Sequence, residues 1–275
     1  MHSRHRAVAH AVWRALTVSV TDWDGRDYGQ VSGLQRAMVQ EAMAGLVLAK
    51  QERVLDVGCG DGFLTFAVAG MVPDGCAVGV DASRRMIEAA HAGGAATQSG
   101  PWFVVADARR LPFAEYFDVV VSFNALHWVP EQRQALAEIA SVVRPGGRVL
   151  IQVVCAGERT SLESVAMAIC QSSSWAPCFD GFTAPFVHVD PAGYGELAAS
   201  AGLTVTGVTV TDREWDFGSL PQFLRWCTVG STAWTDRLPP EDRARFVNDM
   251  LQAYEAVSGR PGLFRFTQMR AELRR

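Results

Sequence analysis

Chemistry-bearing residues are densest in the stretch Asp56-Val57-Gly58-Cys59-Gly60-Asp61-Gly62. It follows the short apolar run Val54-Leu55 and precedes a segment of helical character from Phe63 onward. Glycines in such a turn let the backbone come close to a ligand, and the start of a helix leaves N–H groups free to bind one. Glycine-rich turns also serve dinucleotide-binding folds, so the glycines alone are a weak signal. The acids sharpen it. Asp56, two residues before the first glycine, repels a pyrophosphate and attracts a ligand amino group. Asp81 ends the next apolar run about 20 residues past the turn, where folds of this kind bind a ribose diol. Asp107, followed by Ala108, ends a third run and is placed to accept from an adenine amino group.

Acids at the ends of successive apolar runs require elements that carry them to one edge. Strands are predicted at residues 53–57, 77–81, 102–107, 117–122 and 148–154. Between them lie predicted helices: one at residues 63–71, one capped by Ser83 and running through Ala90, and one at residues 130–143 stopped by Pro145-Gly146-Gly147. The centre of the fourth strand is almost entirely apolar, as for a strand covered on both faces. This alternation predicts an α/β fold, a Rossmann-like doubly wound and mostly parallel sheet. N-terminal helices precede the sheet, including one at residues 34–49, and a helical lid is inserted after the fifth strand. Beyond Val154 helices are predicted at residues 158–171, 193–200, 219–228 and 239–257, with strands at 203–210 and 263–269. No repeat, low-complexity tract or linker divides the chain. It therefore reads as one domain: residues 1–50 a helical cap, 51–155 the cofactor-binding core, 156–200 and 219–258 lid helices over the substrate. Residues 1–21 carry Arg and His but no acid; an amphipathic helix with Val8, Val12 and Leu16 on one face is favoured over a transit peptide.

Composition narrows the function classes. The chain has 275 residues, 49% hydrophobic and 20% charged, which is an ordinary globular balance rather than a disordered one. A net charge of −4 excludes a chain-wide basic footprint for nucleic acid. No run reaches the ~18 apolar residues of a membrane span. The six cysteines are scattered, without a C-x-x-C pair, which argues against a zinc site or a disulfide framework. The expected partner is a small-molecule acceptor, with no metal, no nucleic acid and no membrane; the expected setting is the cytoplasm, as monomer or homodimer.

An adenosine carrying a cationic amino-acid tail meets the demands of Asp56, Asp81 and Asp107 together, and S-adenosyl-L-methionine is such a molecule. Gly58, Gly60, Gly62, Ala82, Met86, Ala108 and Phe123 are assigned to the same cofactor. Residues 54–62, 78–81, 117–122 and 144–150 resemble the successive motifs of class I S-adenosylmethionine-dependent methyltransferases. A narrower likeness lies outside them. Val121-Ser122-Phe123-Asn124-Ala125-Leu126-His127-Trp128-Val129, with Ser174-Trp175-Ala176-Pro177 running on to Phe186, is similar to juvenile hormone acid O-methyltransferases and, in the Leu-His-Trp region, to trans-aconitate methyltransferases. Tyr28 and Gln35 fit the same pattern. The resemblance implies methyl transfer to a carboxylate, with Gln35 and Trp128 holding that carboxylate. The composition looks bacterial, so the reaction type carries over and the hormone substrate does not.

A carboxylate is ionised at neutral pH and needs no base. His127, beyond the fourth strand, reads equally as a lid-packing histidine and as a base for a hydroxyl, nitrogen or carbon acceptor in a natural-product pathway. Aromatic residues crowd the second half; Trp175, Phe182 and Trp226, with Tyr28, are assigned to an apolar acceptor. Two readings from other classes remain: a nicotinamide-dependent oxidoreductase, which Asp56 opposes, and a non-catalytic cofactor-binding partner protein.

Overall fold

The computed structural model describes residues 31, 33–94 and 100–275. The predicted helix near Val8 and the substrate residue Tyr28 lie outside the described residues. Among the described residues, seven strands form one sheet in the order β3-β2-β1-β4-β5-β7-β6. They are β1 (Arg53–Val57), β2 (Cys76–Asp81), β3 (Trp102–Val105), β4 (Phe117–Phe123), β5 (Val143–Val154), β6 (Thr204–Asp216) and β7 (Leu263–Arg274). The first five run parallel; β7 lies antiparallel between β5 and β6. The helices are α1 (Gly33–Ala44), α2 (Phe63–Met71), α3 (Arg84–Ala92), α4 (Gln132–Val142), α5 (Leu162–Cys170), α6 (Tyr194–Ser200), α7 (Leu220–Gly230), α8 (Thr232–Thr235) and α9 (Pro240–Ser258).

Alternation along the strands divides the core into two layers. Leu55, Val57, Val78, Val80, Val120 and Ile151 face one side, under Leu136 and Ile139 of α4 and Tyr194 and Ala198 of α6. Val54, Val119, Val121 and Leu150 face the other, under Ala42 of α1 and Leu64 and Val68 of α2. Residues one apart on a strand point to opposite faces, so a strand with apolar residues at every position is covered twice. A third cluster, rich in rings, gathers α5, α7, α8 and α9 against Phe264 and Phe266 of β7.

Several boundaries differ from the sequence reading: the helix predicted at residues 34–49 ends at Ala44, the third strand ends at Val105 rather than 107, and the helix predicted at 158–171 starts at Leu162. β5 starts at Val143, not 148: Val143 pairs with Phe117, the register then shifts, and pairing resumes at Arg148 with Val119. Gly146, with φ +76°, lets the intervening residues bulge without ending the strand. β6 and β7 are longer than predicted, because charged residues interrupt the apolar runs without ending the strands; in β7, Ala271 and Leu273 stay buried while Glu272 and Arg274 point outward. The one-turn helix α8 has no apolar period long enough to read.

Candidate functional site

A cavity of about 550 Å³ opens at the carboxyl ends of β1, β2 and β4 and runs under the aromatic cluster. Open α/β sheets bind ligands in this crevice. Of the predicted cofactor residues, Asp56, Gly58, Gly60, Asp81, Ala82, Met86, Asp107, Ala108 and Phe123 all line it.

The turn after β1 works differently from the sequence expectation. Four of its N–H groups, those of Gly58, Cys59, Gly60 and Gly62, are taken within the protein. Those of Gly58 and Cys59 both donate to the Val80 carbonyl, at 2.8 and 2.9 Å, and that of Gly62 donates to the Cys59 carbonyl. The Gly60 N–H donates to Asp81 Oδ2 at 3.0 Å, while the Ser83 N–H donates to Oδ1 at 2.8 Å. The turn is therefore cinched onto β2, and Asp81 is aimed by two backbone donors. Carboxylate oxygens retain further lone pairs, so Asp81 can still accept from ribose hydroxyls. Gly62 is corrected: it does not border the cavity. It sits behind the turn at φ +83°, where a Cβ would come within 2.7 Å of Phe103.

Asp56 is 2% exposed. Burial lifts its pKa to about 7, against a hydrogen bond from Thr65 Oγ1 at 2.7 Å that favours the ionised form; nearby Asp81 adds to the rise. Asp107 also differs from expectation. Its two oxygens are clasped by the Arg109 guanidinium at 2.6–3.1 Å, which outweighs burial and holds its pKa below the usual carboxylate value. Arg109 is in turn tied to Glu131 at 2.8 Å. The Asp107 carboxylate is thus committed to a salt bridge and faces an adenine amino group only through its unused lone pairs.

The inner chamber brings Gln35, His127, Trp128, Phe182 and Trp226 together. Gln35 Oε1 accepts from Trp226 Nε1 at 3.3 Å, which orients the amide. Trp128 lies in a 3-10 turn after β4, edge-on to Trp234 with ring centres 6.0 Å apart. Its approach is set by Asn124, a non-glycine residue at φ +59° whose buried Nδ2 has no partner. Strained, unsatisfied residues of this kind concentrate at working sites. His127 is 6% exposed, and burial, aided by nearby His188, pushes its pKa down to about 3. Trp175 is corrected. It does not border the cavity: its indole N–H donates to Asp249 at 2.8 Å and its ring packs edge-on against Phe246. Residues 156–200 also divide. Glu163 and Ala166 of α5 border the cavity, whereas α6 packs on the sheet beside α4. The sequence reading missed Glu163, Arg109, Phe264 and Phe266 as lining residues. The i, i+2 spacing of Phe264 and Phe266 was the available signal for a shared face.

Loss of the Asp81 side chain removes the anchor of Gly60 as well as an acceptor. Asp81→Ala is expected to weaken S-adenosylhomocysteine binding by about 1–3 kcal/mol, read by calorimetry; unchanged affinity removes Asp81 from the ribose site.

Comparison with known proteins agrees with this geometry. Residues 54–147 match a family model described as a methyltransferase domain. A trans-aconitate 2-methyltransferase of Mycolicibacterium gilvum is 32% identical over 212 residues, 74% of this chain and 78% of that protein. The YcgJ protein of Bacillus subtilis superposes with a TM-score of 0.62 at 19% identity, covering 87% of this chain and 98% of that one. Phosphoethanolamine N-methyltransferase 2 of Haemonchus contortus, solved with S-adenosyl-L-methionine, superposes with a TM-score of 0.57 at 18% identity over 91% of this chain and 56% of that one. The residues present suit that cofactor. Asp56 is a buried carboxylate with no cation of its own among the described residues, Asp81 is pre-aimed, and Gly60 leaves open space where a Cβ would stand. The chain belongs to the class I S-adenosylmethionine-dependent methyltransferases, with S-adenosyl-L-methionine as its cofactor.

Proposed function

We propose that the chain transfers the methyl group to a carboxylate oxygen of a small hydrophobic acid. The observation that carries this reading is the character of the inner chamber: neutral donors set in aromatic walls, with a histidine too weakly basic to act. His127, held near pKa 3, does not take a proton from an alcohol or phenol at neutral pH, and an ionised carboxylate needs no such help. That weighs against the reading in which His127 serves as base for a hydroxyl, nitrogen or carbon acceptor.

When bound, the cofactor's sulfonium supplies a methyl group to an in-line nucleophile. The chain's part is to hold the acceptor oxygen at attacking distance, about 3–3.5 Å, in a largely aromatic chamber. Gln35 and Trp128 are the donors proposed to orient the carboxylate. Neutral donors fix its direction without cancelling its charge, whereas an arginine at that point opposes the sulfonium. Phe182, Trp226, Trp234 and Phe264 enclose the acid's apolar body. The helices over this chamber, α5, α7, α8 and α9, are the proposed lid.

The deciding experiment supplies methyl-labelled cofactor with a panel of aliphatic and aromatic acids and their alcohols. Label released by mild alkali is a methyl ester and supports carboxyl transfer; an alkali-stable methyl group rejects it. In the same assay Trp128→Phe and Gln35→Ala are each expected to lower kcat by about 10–100-fold while moving cofactor affinity less than about threefold. Variants that lose cofactor and keep kcat remove both residues from the acceptor site.

A further inference from the structure

One charge in the acceptor chamber is out of place. Glu163, in the first turn of α5, is 8% exposed and lines the cavity with Trp226, Cys227 and Trp234. The group opposite it is His188, whose Nε2 is 3.8 Å from Oε2, beyond hydrogen-bond reach. Burial lowers the His188 pKa even against the pull of Glu163, so the imidazole is neutral at neutral pH. Among the described residues no arginine compensates Glu163. Arg36 is held by Asp61 at 3.2 Å, Arg109 by Asp107 and Glu131, and Arg237 is exposed, stacked over Phe182. A carboxylate taken into apolar surroundings is costly unless something donates to it. The described residues of the chain provide no such donor at hydrogen-bond distance, and the cavity is where one arrives.

We propose that Glu163 selects the acceptor: it accepts a hydrogen bond from a hydroxyl or amino group on the acid's body, and it rejects acids that carry a second carboxylate. The inference rests on the carboxyl-transfer reading and narrows it to monoacids bearing a hydrogen-bond donor away from the reacting end. A second carboxylate placed in this chamber meets a buried like charge with no intervening cation among the described residues. A hydroxyl there fills the acceptor capacity that the protein leaves open.

Two matched sets test it: octanoic acid with its ω-hydroxy analogue and octanedioic acid, and phenylpropanoic acid with its para-hydroxy and para-carboxy analogues. Turnover by the full chain and competition for the S-adenosylhomocysteine-bound protein are both measured. In each set the hydroxy acid is expected to have the highest kcat/KM and the diacid to fall at least about tenfold below the plain monoacid. Glu163→Gln, and independently Glu163→Met, is expected to bring the diacid to within about threefold of the monoacid with S-adenosylhomocysteine affinity unchanged. A wild-type protein that takes diacid and monoacid equally overturns the proposal whether or not the variants fold. So does a diacid penalty that survives loss of the charge. Methyl esters formed without this discrimination leave carboxyl transfer standing and overturn the role of Glu163 alone; no binding of any acid overturns both.

Discussion

Gly58→Ala is expected to destabilise the protein by about 3 kcal/mol and to abolish measurable cofactor binding. The sum has two parts. Gly58 sits at φ +76°, where an L-residue with a Cβ loses about 1–2 kcal/mol. That Cβ also meets the Ala125 Cβ at 2.1 Å, an overlap with the start of the Leu-His-Trp turn that adds about 1–3 kcal/mol of overpacking. Relief comes only by moving the turn away from β2 or Ala125 away from the cavity, and either shift deforms the cofactor wall. Gly60 is the internal control. It too has a positive φ, +56°, but nothing lies within 4 Å of its added Cβ, so Gly60→Ala is expected to cost only about 1 kcal/mol in stability. Denaturant melts and calorimetry on the pair check this. Equal losses at the two positions refute the contact with Ala125 as the cause.

Asp56→Asn is expected to stabilise the cofactor-free protein at pH 8 by on the order of 2–4 kcal/mol while weakening cofactor binding. The folded pKa of about 7 lies above the ordinary value of 3.8, so the native state keeps a proton that the unfolded chain has released. The contribution of Asp56 to stability is therefore intact below about pH 4 and is lost as pH rises through about 7. Asparagine escapes that loss and still accepts from Thr65. A ligand ammonium beside Asp56 favours the ionised form, so wild-type affinity for S-adenosylhomocysteine is expected to rise as pH climbs from 5.5 to about 7 and then to level off. Melts and titrations across that window, on both proteins without and with ligand, check each part. A variant no more stable than wild type at pH 8 shows that Asp56 is already ionised at ordinary aspartate pH. A flat affinity profile shows that no cation approaches it.

Much of the core was legible because a parallel sheet buries its strands twice. Residues 53–57, 77–81 and 117–122 stand out as apolar runs, and the acids at or beside the ends of two of them, Asp81 and Asp56, line the cavity. What the turn does with its N–H groups was not legible, because their partner, the Val80 carbonyl, belongs to another strand. Asp107 carried a readable warning: an arginine two residues on is well placed to take its carboxylate, and Arg109 does. Trp175 shows the limit of composition. An aromatic residue in a loop suits a substrate wall or a core equally, and only the distant Asp249, 74 residues later, decides for the core. Glu163 escaped notice for the opposite reason. An acid in the first turn of a helix is ordinarily explained by the helix dipole, so nothing in the sequence marks it as facing a ligand.

The reversed strand β7 has a consequence for how the molecule is made. β6 joins the sheet only through β7, and β7 comes after both β5 and the helices that roof the cavity. While the nascent polypeptide is emerging from the ribosome, everything up to Val154 can assemble in order of synthesis. The thirteen residues of β6 must wait, edge unsatisfied, until residues 263–274 arrive to wedge between the two strands. Phe264 and Phe266 come in with that wedge, so the cavity acquires part of its wall only after β7 has been made.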